Sequence, residues 1–390
     1  MKRPLTKGSQ SKEYGRAGRY VRQPTGYDAF IPAPLPPKPP VRISGKLQML
    51  LSDATLALGR LDGSIHTLPN PDLFVLMYVR KEAVLSSQIE GTQSSLNDVL
   101  AAEAQILEAT APADVDEVLN YISAMSYGLK RLGELPVSVR LIKELHEKLM
   151  KGVRGSHLDP GETRRTQNWI GPSGVTLNDA LFVPPPPSEI PRALGDLEQF
   201  LHSDPGVPLL IQIGLAHAQF ETIHPFLDGN GRVGRLLVTF LLRQRNVLQK
   251  PVLYLSHFLK RHRQEYYERL QRTRDEGDWE GWLEFFLRGV SEVSVEATET
   301  ARKILALREL HRTAITDNLG RAAGNGHKVL ETLYVRPITN VTAVSKITGT
   351  SFAAANELVK KLTSIGILDE MTGQRRNRSF RYDDYINLFT

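Results

Sequence analysis

The stretch His224-Pro225-Phe226-Leu227-Asp228-Gly229-Asn230-Gly231-Arg232-Val233-Gly234-Arg235 joins two apolar runs of helical spacing, 209–223 and 232–245. Proline disfavours helix at the residue before it, so His224 is expected in extended backbone at the mouth of a loop. Gly229 and Gly231 permit a sharp turn and close approach to a ligand. A helix starting near Arg232 would put its positive end behind the amides of Gly229, Asn230 and Gly231, which makes an anion cradle. Arg232 and Arg235 are three apart in the first turn of that helix, where cations are unfavourable unless an anion faces them. Asp228 offers a hard oxygen suited to Mg²⁺ bridging phosphates, which leaves His224 for proton transfer.

Other phosphate and metal chemistries fit less well. No lysine follows the glycines, so this is not a P-loop, and no second His or Glu stands at a helical offset from His224 for zinc. His217, seven residues upstream, reads as a packed or capped histidine. The chain has no cysteine, which excludes disulfides, thiolate catalysis and Cys-ligated metals. With no signal-like start and no long charge-free apolar run, the expected location is cytoplasmic, with no membrane association.

The segment resembles the Fic family motif, His-x-Phe-x-(Asp/Glu)-Gly-Asn-Gly-Arg-x-x-Arg, at every fixed position. The resemblance implies a protein adenylyltransferase that moves AMP from ATP to a Ser, Thr or Tyr hydroxyl of a target protein. His224 would be the general base and Asp228 would hold Mg²⁺. Gly229, Asn230 and Gly231 would bind phosphates, followed by Arg232, Val233, Gly234 and Arg235, with both arginines at the distal phosphates. Tyr254, Tyr266 and Tyr267 could stack on adenine or equally well pack in the core. Removal of AMP, transfer of another phosphate-containing group, and a nucleotide-sensing DNA-binding regulator stay open. Family analogy also implies a homodimer.

Upstream, Ser86-Ser87-Gln88-Ile89-Glu90-Gly91 ends a helical run beginning near residue 73, with Gly91 where a left-handed stop is favoured. Glu90 thus stands at a negative helix end and invites a cationic partner. The segment is similar to the Fic inhibitory motif, (Ser/Thr)-x-x-x-Glu-(Gly/Asn), which implies that Glu90, with Ser86, engages Arg235 and blocks productive ATP binding.

The expected architecture is mainly α: a Fic-type helical bundle at 41–320 with a β-hairpin flap at 168–183, and a winged helix-turn-helix at 321–390. Ahead of them lies a basic, Pro-rich arm, 1–40, read as a strap over its own domain. Residues 320–326 read as a linker. Charge is concentrated at the two ends, +6 over 1–40 and +4 over 321–390, against −4 between them. Arg375, Arg376, Arg378, Lys360 and Lys361 in the last module could meet DNA phosphates, or equally a docking protein.

Overall fold

The computed structural model describes residues 15–389 apart from 67, 69–70, 107–111, 173 and 375–376. Residues 1–14, with half of the basic arm's charge, and Arg375 and Arg376 lie outside the described residues.

Among the described residues the chain opens with an antiparallel hairpin, β1 (Gly18–Arg22) and β2 (Asp28–Pro32), inside the region read as a basic, Pro-rich strap. Phe30 is wholly buried, and its amide donates to Val183 O. The prolines that follow lie over the chain's own body. Gln219 Nε2 donates to Ala33 O, and Arg16 donates to the carbonyls of Pro39 and Pro40 while pairing with Glu280.

The body is helical: α1 (Lys46–His66), α2 (Pro71–Ile89), α3 (Leu96–Glu103), α4 (Val115–Arg131), α5 (Val139–Leu149), α6 (Ile190–His202), α7 (Leu209–Ile223), α8 (Asn230–Gln244), α9 (Ser256–Arg261), α10 (Arg263–Glu276) and α11 (Trp279–Leu319). From Leu210 to Ile223 every residue of α7 is buried, as expected of a helix apolar on all sides. It is the central rod. Helix α11 closes on it where Gly214 leaves room for Leu283 and Phe286, and Trp282 Nε1 donates to Gly214 O. The buried stripe Leu47, Ala54, Leu58, Leu61 and Ile65 lays α1 along α11.

The flap has a single antiparallel bridge, Ile170 to Phe182, in place of a two-stranded hairpin. The four prolines from Pro184 onward lack amide donors and cannot extend the ladder. Asn168 Nδ2 donates to Phe226 O and the Arg164 amide to Pro225 O, so the flap's base is tied to the loop after α7.

Helix α11 runs unbroken for 41 residues into the last module. Residues 320–326 are not a linker: a short 3₁₀ turn leads straight into α12 (Ala323–Leu333). Then come β3 (Ile338–Asn340), α13 (Val341–Thr348), α14 (Phe352–Ser364), β4 (Asp369–Glu370), β5 (Ser379–Arg381) and α15 (Asp383–Ile386), with the strands ordered β3-β5-β4 and antiparallel. This module is docked on the body. The Tyr382 hydroxyl meets His311 Nδ1 on α11 at 2.8 Å, and Phe389 packs edge-on against Tyr78 on α2. Among the described residues no helix is long and apolar enough to cross a membrane.

Candidate active site

Helix α7 ends at Ile223 and His224 caps it in the left-handed region (φ 47°, ψ 61°), not in the extended conformation expected before proline. Its amide still donates to Phe220 O, so the chain stops the helix with the left-handed cap usually given to glycine. Non-glycine residues in that region carry strain, which the surroundings must hold in place. Arg164 does so, its Nε donating to His224 O and its Nη2 to Pro185 O. Burial pushes the imidazole's pKa down to about 4, helped by the positive charges of Arg164 and Arg274. The ring is therefore neutral at physiological pH, and its Nδ1 has no partner.

Helix α8 begins at Asn230, two residues earlier than the sequence suggests, because Gly229 (φ 77°) takes the N-cap. The cradle shifts accordingly. The amide of Gly229 is spent on Asp228 Oδ1 at 2.6 Å, whereas among the described residues those of Asn230, Gly231 and Arg232 have no acceptor. The Asn230 side chain is buried, its Oδ1 accepting from Phe226 N and its Nδ2 donating to Phe226 O. It staples the loop and is not open to a ligand.

His146 provides a second staple that the sequence did not reveal. Its Nδ1 accepts from Gly161 N, so Nε2 carries the proton and donates to Asp228 O at 3.0 Å, while the ring stacks on Phe226 at 3.8 Å. His217, as expected, is a packed core residue, bonded to Gly234 O and the Tyr266 hydroxyl.

Both arginines of the motif have internal carboxylate partners. Arg232 is fully buried against Glu117 (3.1 Å). Arg235 is pulled towards α2: its Nε donates to Ser86 Oγ (2.7 Å), and its Nη2 to Ser86 O (2.9 Å) and Glu90 Oε1 (2.7 Å). Glu90 follows the last turn of α2, where Gly91 (φ 102°) breaks the helix. Burial alone would raise the Glu90 carboxyl, but Arg235, with Arg232 and His224, holds it below the usual carboxylate value. A β-carbon built on Gly231 would stand 2.2 Å from Glu90 Oε1. The carboxylate therefore lies beside the first turn of α8 at Gly231, where it engages Arg235.

The tyrosines separate. Tyr267 is part-exposed, close enough to Glu90 and Arg235 to feel both charges. Tyr266 is buried against Trp282. Tyr254 is buried against Tyr78, with its hydroxyl on Pro251 O, and is not brought to the loop. Val233 and Gly234 pack inside α8, Gly234 beneath the carboxylate of Glu221.

No group of three or more His, Asp or Glu able to hold a metal ion occurs among the described residues. Asp228 is part-exposed, with Arg232 Nη2 3.8 Å from its Oδ1. That suits Mg²⁺ carried in on phosphates, since the ion commonly uses one or two carboxylates plus substrate oxygens.

Two family profiles match the chain in sequence: Fic/DOC family N-terminal over residues 48–130 and Fic/DOC family over 136–242. The chain therefore carries a Fic/DOC family N-terminal domain and a Fic/DOC family domain over those residues. It is 30% identical over 200 residues to the "Protein adenylyltransferase Fic" of Drosophila grimshawi, and 28% identical to that of Drosophila melanogaster. Each match uses 50% of this chain but only 36% and 35% of the relatives, so the chain spans about a third of their length. In fold it is similar to a Fic family protein from Desulfovibrio desulfuricans, with TM-score 0.56 and 20% identity, covering 88% of this chain and 97% of that one.

Proposed function

We propose that the protein is an adenylyltransferase that moves AMP from ATP to a hydroxyl of a target protein and is held inactive by Glu90. The observation that carries this reading is the seat itself. An internal carboxylate lies on Arg235 and beside Gly231 at the start of α8, and a nucleotide's phosphates would compete with it for Arg235 and that space. The names of the curated relatives fit the same reading.

With Glu90 displaced, Arg235 and the amides of Gly231 and Arg232 would hold the phosphates, and Arg232, paired with Glu117, would supply positive potential from behind. The neutral imidazole of His224 takes the proton of the target hydroxyl as its oxygen bonds to the α-phosphorus. The bond from that phosphorus to the bridging oxygen breaks, and pyrophosphate leaves. Asp228 would hold Mg²⁺, which when bound neutralises phosphate charge. The base of the flap, tied to the loop by Asn168, would align the target segment by strand-like pairing.

The last module has the order helix, strand, helix, helix, strand, strand, the pattern of a winged helix-turn-helix, and we read it as a DNA-binding accessory. Arg378 is held by Asn356 Oδ1 over the Phe380 ring, and Phe352, at the start of α14, is exposed.

The test is intact-protein mass spectrometry after incubation with ATP and Mg²⁺. Glu90→Gly should gain AMP faster than the native chain by about ten- to a hundredfold, the worth of a charge-assisted hydrogen bond. Adding His224→Ala should abolish the gain. Equal rates in native and Glu90→Gly protein would overturn the brake, and no AMP on automodified or candidate target proteins would overturn the activity.

A further inference from the structure

Where the C-terminal module abuts the body there is a cavity of about 300 Å³, lined by Arg80, Leu100, Glu103, Ala104, Arg336 and Ile338. That is at the lower end of the size range of small-molecule sites. Its charges are unbalanced. Arg80, on α2, is more than nine-tenths buried, and its Nε is spent on Glu103 Oε2 at 2.8 Å. Its Nη1, shielded from water, has no acceptor. A buried donor left unsatisfied costs roughly 1–3 kcal/mol and calls for an explanation. Arg336 reaches the same cavity from the segment between α12 and β3, exposed and in no ion pair among the described residues. Two guanidiniums against one carboxylate leave the cavity one positive charge in excess, beside the apolar surface of Leu100, Ala104 and Ile338.

We propose that this cavity binds a small molecule carrying one anionic group, a phosphate ester or a carboxylate, on an apolar body. The anion sits between the guanidiniums of Arg80 and Arg336, and the body rests on Leu100, Ala104 and Ile338. Because the two arginines belong to different modules, such a ligand joins α2 to the C-terminal module. The site is separate from the loop at His224 and does not rest on the activity proposed for it.

Isothermal titration calorimetry of the full chain with phenyl phosphate and with benzoate tests the site. One saturable site is expected, weakened at least about tenfold by Arg336→Gln, whose exposed side chain carries no packing. Arg80→Met should abolish binding, and if it also unfolds the chain, Arg336→Gln still decides. Binding of phenyl phosphate alone identifies a phosphate ester as the natural class, and binding of benzoate alone a carboxylate. Saturation by neither probe overturns the proposal. So does binding that Arg336→Gln leaves unchanged, or that a non-hydrolysable ATP analogue displaces.

Discussion

Glu117 and Arg232 form a buried pair 115 residues apart in sequence, with Arg154 3.6 Å from the Glu117 carboxylate and Asp228 3.8 Å from the guanidinium as more distant partners. Glu117→Gln would take away the guanidinium's nearest carboxylate and should cost about 3 kcal/mol of stability, read as a fall in the denaturant midpoint. The buried titratable groups also set the pH response. His146, His217 and His224 drop from 6.5 to about 4 on folding, so between those values the unfolded chain binds more protons and stability falls on acidification. Burial raises Glu82 and Glu221 from 4.5 to about 7, so in that window the folded chain binds more protons and stability falls as pH rises. Buried His311 is lowered as well, so four groups oppose two, and stability should fall on acidification between about pH 4.5 and 6.5. Glu82→Gln/Glu221→Gln should steepen the loss on acidification, measured by urea titration at each pH. At this scale the sequence was legible wherever a residue's type carries its chemistry, as at His224, Asp228 and Glu90. It was silent on His146, Glu117 and Arg164, because their roles arise from folding distant segments onto the loop. The role of the Asn230 side chain was silent for a related reason: its amide group suits a phosphate as well as it suits the backbone of Phe226, and only the turn decides between them.

The helices of the body were legible because apolar spacing and caps mark them, and most ends fall within two residues of expectation. The hairpin β1–β2 was not, since its short strands carry Arg and Gly, and their pairing partner Val183 lies far downstream. The break between α9 and α10 at His262 was not legible either, since no glycine or proline marks it. A prediction belongs to α14 and the wing. If they meet DNA, Arg375→Ala/Arg376→Ala/Arg378→Ala should weaken duplex binding and reduce the slope of log K against log salt by about two to three. Fluorescence anisotropy over a salt series would measure it, and an unchanged slope would remove DNA as the module's partner.

The catalytic body and the C-terminal module share α11, so the molecule is more unified than its sequence suggests. The glycines around 320–326 imitate a flexible tether, but His311, Arg308 and Phe389 bind the module back onto α11 and α2. Calorimetry should therefore show one cooperative unfolding transition. Leu310→Pro, at an exposed position of α11, should split it into two, since a proline inside a helix costs about 3 kcal/mol and kinks it. At 1.5 Å per residue the helix is about 60 Å long. A spine of that length works as a gauge. Whatever the C-terminal module grips is held at one distance and one bearing from His224, so a substrate engaged by both halves must match a rigid template and cannot rely on a hinge to bring its hydroxyl into reach.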